Sequence, residues 1–337
     1  MKSMGMLIGG EERSSSARDK VINPFNGEVV GEAALGSAEE MDEAIGRAHE
    51  AFQELRGLPA HARSAMLERV ASSLEARREE LARLMVAESG KPIQYARGEV
   101  DRAALTFRLG ADESRRLGGE VHPTDIAPSG EGRLCLHKRV PCGPVAAISP
   151  FNFPLNLVAH TLSPAAAVGA STVLKPPAQC PLTALTLGRI VQEAGMPAGG
   201  LNVVHCVPEV GERMVRDDRM KVLSFTGSDR LGWRLKGLAP RKKALLELGG
   251  NAPAILAEDA DWGEHMDRLI MGSFAHAGQV CIKTQRIYVH RSRFEEFVGA
   301  FVAATGEVVA GDPMDESTMV GPLIEPHHVE RVLGLVR

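Results

Sequence analysis

Between residues 145 and 258, short apolar runs alternate with stretches of helical character, and this alternation constrains the fold more than any other feature. The runs VAAIS, TVLK, LNVVH, KVLSF and ALLEL have the length and apolar content of buried strands. Strands that are joined by helical crossovers lie parallel in one sheet, with helices on both faces. The sequence therefore predicts an α/β fold whose ligands bind at the carboxyl ends of the strands.

Helical sequence precedes this region, and a second α/β unit follows it. Residues 38 to about 118 form amphipathic, charged runs that begin with a Ser cap and a Glu three residues later. Gly, Pro and Ser punctuate residues 118–142, where LCLHKRV has the β-propensity of an extended ribbon. After PAILAE we expect a helix from Asp259 to about His276, a strand at QRIYVH and a helix from about Arg291.

Composition and charge exclude several classes of protein. The 337 residues suffice for roughly two domains, and 44% hydrophobic with 24% charged residues is ordinary for a globular chain. The net charge of −4 argues against nucleic acid or anionic lipid as a partner. Since no window approaches 18 consecutive apolar residues and the first residues lack a signal-peptide core, we expect neither membrane insertion nor secretion.

The cysteines and histidines favour reduced thiols and argue against metal catalysis. An odd number of cysteines without a CxxC pair, in a chain this long, is typical of a cytoplasmic protein. They are Cys135, Cys142, Cys180, Cys206 and Cys281. His327 and His328 are adjacent, and neither HExxH nor a Cys/His cluster with zinc spacing occurs. We therefore assign no metal ligand from the sequence.

Three side chains at predicted element ends can carry chemistry, although each has an ordinary structural alternative. Cys281 follows AHAGQV where a helix meets a loop, so its thiol is either an exposed nucleophile or a small buried apolar group. Asn152 lies in SPFNFPL between two prolines, so its amide either donates to an oxyanion or forms a turn. Glu247 ends the strand of ELGG, as a general base or a turn residue.

Two further strand ends predict a site for a ribose or a phosphate. Lys175 ends TVLK, and the two prolines after it direct its ammonium group toward the crevice or into solvent. SFTGS places Gly227 and Ser228 at a strand-to-helix turn, where they either bind a pyrophosphate or simply cap the helix. No GxGxxG is present, so the usual dinucleotide fingerprint is absent.

The motifs NFP, KPP, FTGS, ELGGN and GQVC occur in one chain in this order, and together they resemble the NAD(P)-dependent aldehyde dehydrogenase superfamily. The resemblance extends from VINPFNGEVVG to GDPMDESTMVGPLI, and it is greatest to the lactaldehyde and succinate-semialdehyde branch. It implies a Rossmann-type sheet in a cofactor-binding domain with an N-terminal helical layer (1–117 and 143–247), an oligomerisation ribbon (118–142) and a catalytic domain (248–337). It also implies a homodimer or homotetramer.

The resemblance assigns a role to each motif. Cys281 would be the nucleophile that forms a thiohemiacetal and then a thioester with a small aldehyde. Asn152 and the Cys281 N–H would form the oxyanion hole, and Glu247 would activate the hydrolytic water. Lys175 would hold the adenosine ribose, and Ser228 the pyrophosphate.

Other positions bear on the cofactor and the substrate. Gly211 and Phe151 fall where the family lines its cofactor cleft. Ala178 stands where NAD-preferring relatives have a Glu that binds the ribose, so we expect NADP to be accepted, alone or beside NAD. Arg108 is either a clamp for an anionic substrate tail or a solvated helix arginine.

Two alternatives to the oxidation of an aldehyde remain open. One is a non-catalytic remnant that binds nucleotide or a partner. The other is a reductase of the same superfamily that acts on acyl phosphates or thioesters, for which Glu247 would be superfluous. Members of the family are longer than 337 residues, so we expect the end of the catalytic domain to be missing and this chain itself to be weakly active or inactive.

Overall fold

The computed structural model describes residues 2–337. The strands that precede the main crossover region and form the ribbon are β1 (Lys2–Met4), β2 (Met6–Ile8), β3 (Glu11–Arg13), β4 (Arg18–Ile22), β5 (Val29–Ala34), β6 (Gly119–His122) and β7 (Cys135–Lys138). The later strands are β8 (Val145–Ile148), β9 (Thr172–Lys175), β10 (Leu201–Val203), β11 (Val222–Thr226), β12 (Lys243–Glu247), β13 (Ala252–Leu256) and β14 (Thr284–Val289).

Helices flank and connect these strands. They are α1 (Ala38–Gly57), α2 (Ala60–Ala76), α3 (Arg78–Ser89), α4 (Ile93–Arg116), α5 (Asn156–Val168), α6 (Pro181–Glu193), α7 (Pro208–Arg216), α8 (Asp229–Leu238), α9 (Met266–Phe274), α10 (Phe294–Gly306) and α11 (His327–Val336). The predicted helical region before the ribbon is confirmed as α1 to α4. At its start, Ser37 and Glu40 form the reciprocal capping box expected from the sequence.

The main sheet has the strand order β12-β11-β8-β9-β10-β2-β3. Strands β8 to β12 pair in parallel, which confirms the predicted α/β class and the crossover arrangement. At one side, β2 and β3 extend the sheet in antiparallel direction. These strands are not apparent in the sequence, because each is three residues long, which is too short for a two-residue alternation to be recognised.

Apolar side chains pack helices onto both faces of this sheet. On one face, Leu67 of α2, Phe107 of α4 and Leu185 of α6 belong to one buried cluster with Leu174 of β9. On the other, the cluster includes side chains from α1, α7 and α8 around Val173. Adjacent residues of β9 thus serve opposite layers, as strand geometry requires. The two layers fix the ends of β8 to β12, where the candidate site residues lie.

The second α/β unit is built on the parallel pair β13–β14. The expected helix from Asp259 to about His276 is shorter in the structure, where α9 begins only at Met266. Turns occupy the preceding segment, with the Ala260 N–H bonded to the Ala257 carbonyl. Asp residues, through their side chains, and Gly, through its backbone freedom, favour turns over helix, which accounts for the delayed start.

The predicted ribbon is confirmed as the antiparallel pair β6–β7, all of whose residues are exposed. The division at 1–117, 118–142, 143–247 and 248–337 stays a prediction, and residue 1 lies outside the described residues. Within the part of the chain that the structure describes, no helix is both long and apolar enough to cross a membrane.

Candidate active site

Asn152 joins two motifs that are far apart in the sequence. It lies in the loop between β8 and α5, and its Nδ2 donates to the carbonyl oxygen of Gln279 at 2.8 Å. That carbonyl is two residues before Cys281, so the structure brings NFP and GQVC together. The Oδ1 atom of Asn152 is buried without a hydrogen-bond partner. The amide is therefore held at the cysteine loop mainly through its donor side.

Gln279 anchors the cysteine loop from its other side. Its Oε1 accepts from the N–H of Ile324 at 3.0 Å, and its Nε2 donates to the carbonyl of Pro322 at 3.3 Å. Cys281, two residues after Gln279, is half-buried and makes no disulfide. This role of Gln279 is not apparent in the sequence, because these two partners lie more than forty residues away. The segment around 322–324 thus supports the loop that presents the thiol.

The loop before Cys281 has an unusual backbone. His276 and Ala277 adopt left-handed φ values of 52° and 55°, which residues with a Cβ rarely do. The His276 ring is 2% exposed, and neither ring nitrogen has a hydrogen-bond partner. Burial lowers the pKa of His276 well below its ordinary value, and the nearby Lys91 lowers it further. His276 is therefore a neutral, buried support of a strained loop.

Glu247 lies at the carboxyl end of β12, where its side chain is exposed. Three residues later, Gly250 packs against the backbone of Cys281, since a Cβ there would come within 2.6 Å of the Cys281 carbonyl oxygen. Only glycine allows this approach. The structure thus places the predicted base and the predicted nucleophile on two segments in direct contact.

Lys175 and Gly211 meet at the predicted cofactor crevice. The Lys175 side chain is 9% exposed, and its Nζ donates to the Pro176 carbonyl at 3.3 Å. A Cβ on Gly211 would come within 2.7 Å of the Lys175 Cδ, so the glycine leaves the space that the lysine stem fills. Burial lowers the pKa of Lys175, partly offset by Cys206. A buried ammonium with one carbonyl partner retains donor capacity for a ligand hydroxyl.

The turn between β11 and α8 presents the hydroxyl group of Ser228. Ser228 is the exposed N-cap of α8, and its side chain makes no capping hydrogen bond. The Gly227 N–H donates to the Glu247 carbonyl at 2.9 Å, which ties the turn to the neighbouring strand. The first N–H groups of a helix and a free hydroxyl suit a phosphate. With Lys175 and Gly211, these residues fit a dinucleotide.

Ala178 and Phe151 lie in the loops after β9 and β8. Ala178 is exposed three residues beyond Lys175, so its methyl group leaves room for a substituent on a ribose. The Phe151 carbonyl accepts from the Cys180 thiol at 3.4 Å, and its ring stacks on His328 with 6.4 Å between centroids. The hydrogen bond between Cys180 and Phe151 therefore links the two loops.

A buried ion pair, not found from the sequence, supports the Asn152 loop. Lys91 pairs with Glu99 where both side chains are fully buried, and its Nζ lies 3.7 Å from the centroid of the Phe153 ring. Glu99 Oε1 also accepts from the N–H groups of Leu155 and Asn156 at 2.9 and 3.0 Å. Burial lowers the pKa of Lys91, and Glu99 opposes this. A carboxylate from α4 thereby caps α5.

Glu88 does the same for the next crossover helix. Its two carboxylate oxygens accept from the N–H groups of Leu182 and Thr183, each at 2.9 Å, at the start of α6. Both Glu88 and Glu99 are almost completely buried. The segment 88–99 therefore fixes the helices that follow the Asn152 loop and the Lys175 loop.

Arg108 is engaged on the outer surface of the helical layer. Its guanidinium pairs with Glu75 at 2.5 Å and Glu68 at 3.3 Å, both on α2. These ion pairs are partly exposed and hold the side chain against α2. Binding of an anionic substrate by Arg108 stays a prediction and requires that it leave these partners.

A concavity of about 830 Å³ lies elsewhere. It opens beside the segment that leads from the ribbon back to β8, and its walls include Arg63, Cys142 and His160. Asn152 and Cys281 are not among its lining residues. We place the candidate site at the loops described above, because there the polar groups converge.

Comparisons with known proteins agree with this geometry. The family model described as "Aldehyde dehydrogenase family" matches residues 12–337. A 3-sulfolactaldehyde dehydrogenase of Priestia aryabhattai is 38% identical over 333 residues, which are 98% of this chain and 69% of that protein.

Solved structures give the same result. Aldehyde dehydrogenase 21 of Physcomitrella patens, in complex with the reaction product succinate, superposes with a TM-score of 0.96 at 38% identity, over 99% of this chain and 70% of that one. Glyceraldehyde-3-phosphate dehydrogenase GapN of Methanocaldococcus jannaschii, complexed with NADP, has a TM-score of 0.91 at 38% identity, over 96% and 71%. The chain thus spans about 70% of the length of these relatives.

Proposed function

The chain belongs to the aldehyde dehydrogenase family, and from this premise we propose that Cys281 is the nucleophile with which it oxidises a small aldehyde to the carboxylic acid, using NAD or NADP. The observation that carries the proposal is the hydrogen bond from Asn152 to Gln279, which joins the amide to the cysteine loop. Amide donors beside a nucleophile are the arrangement that stabilises a tetrahedral oxyanion.

In the first half-reaction, the Cys281 thiolate attacks the aldehyde carbon, and a C–S bond forms as the carbonyl oxygen takes up negative charge. Asn152 Nδ2 and the Cys281 backbone N–H donate to that oxygen. The bound nicotinamide supplies a hydride acceptor, so the carbon becomes a thioester carbon when it loses its hydride. Asn152 gives up its bond to the Gln279 carbonyl in favour of the oxyanion.

In the second half-reaction, Glu247 removes a proton from a water molecule, whose oxygen attacks the thioester carbon. The C–S bond then breaks, which regenerates the Cys281 thiolate and releases the free acid. Glu247 is exposed at a strand end and adjoins the cysteine loop through Gly250, which supports its access to both water and the acyl carbon. This role favours hydrolysis over the reductase alternative, in which a general base has no task.

Lys175, Gly227, Ser228 and Gly211 would hold the cofactor, with the ribose at Lys175 and the pyrophosphate at the start of α8. Ala178 supports the acceptance of NADP, since no carboxylate opposes a 2′-phosphate there. Phe151 adds an apolar wall beside the Asn152 loop. As substrates we propose aldehydes of the lactaldehyde and succinate-semialdehyde type, with Arg108 as a further candidate contact for an acidic tail.

We also propose that the protein acts as a homodimer or homotetramer through the ribbon of residues 118–142. The exposed apolar side chains of Val121 and Leu136 support this assignment. A cytoplasmic location is supported by the cysteines, all five of which are free thiols.

The test incubates the chain at high concentration with NADP⁺ or NAD⁺ and a panel of lactaldehyde, succinate semialdehyde and uncharged aldehydes. Because this chain is expected to be weakly active, we expect reduced cofactor to form slowly, in step with free acid, and iodoacetamide to abolish both. Cofactor binding without reduced cofactor would favour the non-catalytic alternative. Reduction of an acyl phosphate or thioester, without oxidation of any aldehyde, would favour the reductase.

A further inference from the structure

The ribbon β6–β7 carries a group of metal-ligating side chains that the proposed reaction does not use. Glu120 pairs directly with His137, and His122 pairs directly with Cys135. Directly paired residues of antiparallel strands lie on the same face, and residues two apart on one strand share that face. One face of the ribbon therefore presents a carboxylate, two imidazoles and a thiol.

The distances suit a single ion. The ligand atoms of Glu120, His122 and His137 all lie within 4.8 Å of one another, and the His122 Nε2 is 3.6 Å from the Glu120 Oε2. A tetrahedral zinc site with bonds of about 2.0–2.1 Å needs ligand atoms roughly 3.4 Å apart. Small rotamer changes of exposed side chains supply the difference. Cys135 is not in this group of three, but it is paired directly with His122, and the Cβ atoms of such pairs lie about 4.5–5.5 Å apart, so a rotamer change can bring its thiol in as a fourth ligand.

We propose that Glu120, His122, Cys135 and His137 form a zinc-type metal site that clips the two strands of the ribbon together. Imidazole, thiolate and carboxylate ligands favour Zn²⁺ and related transition metals over Mg²⁺ and Ca²⁺. The sequence does not reveal this group, because twelve residues separate residues 120–122 from residues 135–137. The two halves meet only through strand pairing.

The opposite face of the ribbon is apolar. The proposed subunit contact and the proposed metal site therefore lie on different faces of the ribbon. Val121 and Leu136 point to the apolar face and are 66% and 69% exposed. A second subunit that covers this apolar face leaves the ligand face open. A two-stranded ribbon is only marginally stable by itself. Apart from the strand pairing, its far end is closed by the Thr124 hydroxyl, which donates to the Arg133 carbonyl at 2.7 Å.

Among the described residues, one other group has three candidate ligands, namely Glu325, His327 and His328. We favour the ribbon for two reasons. The His328 ring is stacked on Phe151, which limits its rotation toward an ion. In addition, Cys135 is paired directly with His122 on the same face of the ribbon, next to the group of three, and a thiolate is a soft ligand.

The experiment uses the full chain, stripped of metal with a chelator, kept reduced with a phosphine and titrated with Zn²⁺ alone in a calorimeter. We expect one equivalent to bind and to release protons, because the ligands must be deprotonated. His122→Asn and His137→Asn should each weaken binding at least about tenfold. Since both positions are exposed, these variants should keep the circular dichroism spectrum of the parent chain.

Cobalt substitution tests the thiol. We expect a thiolate-to-cobalt charge-transfer band that Cys135→Ser abolishes and that the matched control Cys142→Ser, at another exposed cysteine, retains. A second control, His327→Asn, should leave zinc affinity unchanged. The proposal is overturned if the stripped chain binds no Zn²⁺, if His327→Asn and not His137→Asn weakens binding, or if the cobalt band survives Cys135→Ser.

Discussion

At the scale of single residues, the account depends on side chains that reach the cysteine loop from separate strand ends. Asn152 contacts the loop directly through the Gln279 carbonyl. Glu247 lies three residues before Gly250, which packs against the Cys281 backbone. Because the proposed mechanism gives each residue one task, single substitutions should have separable kinetic effects.

Asn152→Ala should slow acylation by about 10²–10³-fold, the usual effect of removing one oxyanion donor. The rate of the first turnover, followed by the absorbance of reduced cofactor, measures this step. Cofactor affinity should stay within about twofold, because the amide contacts the cysteine loop. An equal first-turnover rate in the variant and the parent would show that Asn152 is not part of the oxyanion hole.

Ala178→Glu should weaken NADP⁺ binding at least about tenfold and leave NAD⁺ binding nearly unchanged or improved. The reason is repulsion between the new carboxylate and the 2′-phosphate. Equilibrium binding of the two cofactors measures this without turnover. The matched control Ala178→Gln has the same shape without the charge and should change the ratio little. If both variants change the ratio alike, the position acts through size and not through charge.

At the scale of secondary structure elements, two buried carboxylates link the helical layer to the sheet. Glu99 caps α5 and Glu88 caps α6, so the segment 88–99 holds the loops of Asn152 and Lys175 in place. A buried ion pair is costly to break, because the charge that is left has neither a partner nor water around it. Lys91 is the remaining charge when Glu99 is neutralised.

Glu99→Gln should lower the free energy of unfolding by about 3–5 kcal/mol, although the amide oxygen can still cap α5. The control Asp101→Asn, on the same helix as Glu99, breaks the exposed pair with Arg78 of α3 and should cost about 0–1 kcal/mol. Urea denaturation compares them. The double variant Lys91→Met, Glu99→Gln should recover much of the loss. Equal effects of Glu99→Gln and Asp101→Asn on the free energy of unfolding would show that the buried pair contributes no more to stability than the exposed pair.

Elements with strong local patterns were predicted correctly, and those that depend on distant partners were not. Ser37 and Glu40 mark the start of α1 in the sequence itself, and the apolar runs mark β8 to β12. By contrast, β2 acquires its structure by pairing with the edge of the sheet at β10, and β3 by pairing with β2. The helix α9 is shorter than expected, because turn-forming residues outweigh the apolar periodicity before Met266.

The same contrast applies to the site. Motif order pointed to Asn152, Glu247 and Cys281, and the structure gathers their segments. Their catalytic roles stay predictions. Lys91, Glu99 and Gln279 were missed, because a charged or amide side chain in a helical or loop segment does not indicate burial by itself. Only the fold reveals that their partners lie on other elements.

At the scale of the whole molecule, buried neutral histidines make stability depend on pH. Burial lowers the pKa of His276, and burial also lowers that of His205, where the hydrogen bond to Asp19 opposes the shift. Above the ordinary pKa near 6.5, both folded and unfolded states are neutral at these positions. As the pH falls below that value, the unfolded chain takes up protons that the folded chain resists.

The free energy of unfolding should therefore decrease as the pH falls from about 7.5 to 5.5, at up to about 1.4 kcal/mol per pH unit for each such histidine. His276→Asn should flatten this slope, whereas His49→Asn, at an exposed position, should not. Chemical denaturation at a series of pH values measures the slope. An unchanged slope in His276→Asn would contradict the neutral, buried state assigned to the ring.

The most direct test of the central claim is a single-turnover experiment that asks whether the Cys281 sulfur holds the substrate carbon. The chain in excess over aldehyde, with saturating NADP⁺, is quenched in acid and analysed by peptide mass spectrometry. We predict an acyl group on the peptide that contains Cys281, accumulating in Glu247→Gln and absent in Cys281→Ala. Formation of reduced cofactor by Cys281→Ala at the parent rate, or acylation of another cysteine alone, would contradict the account.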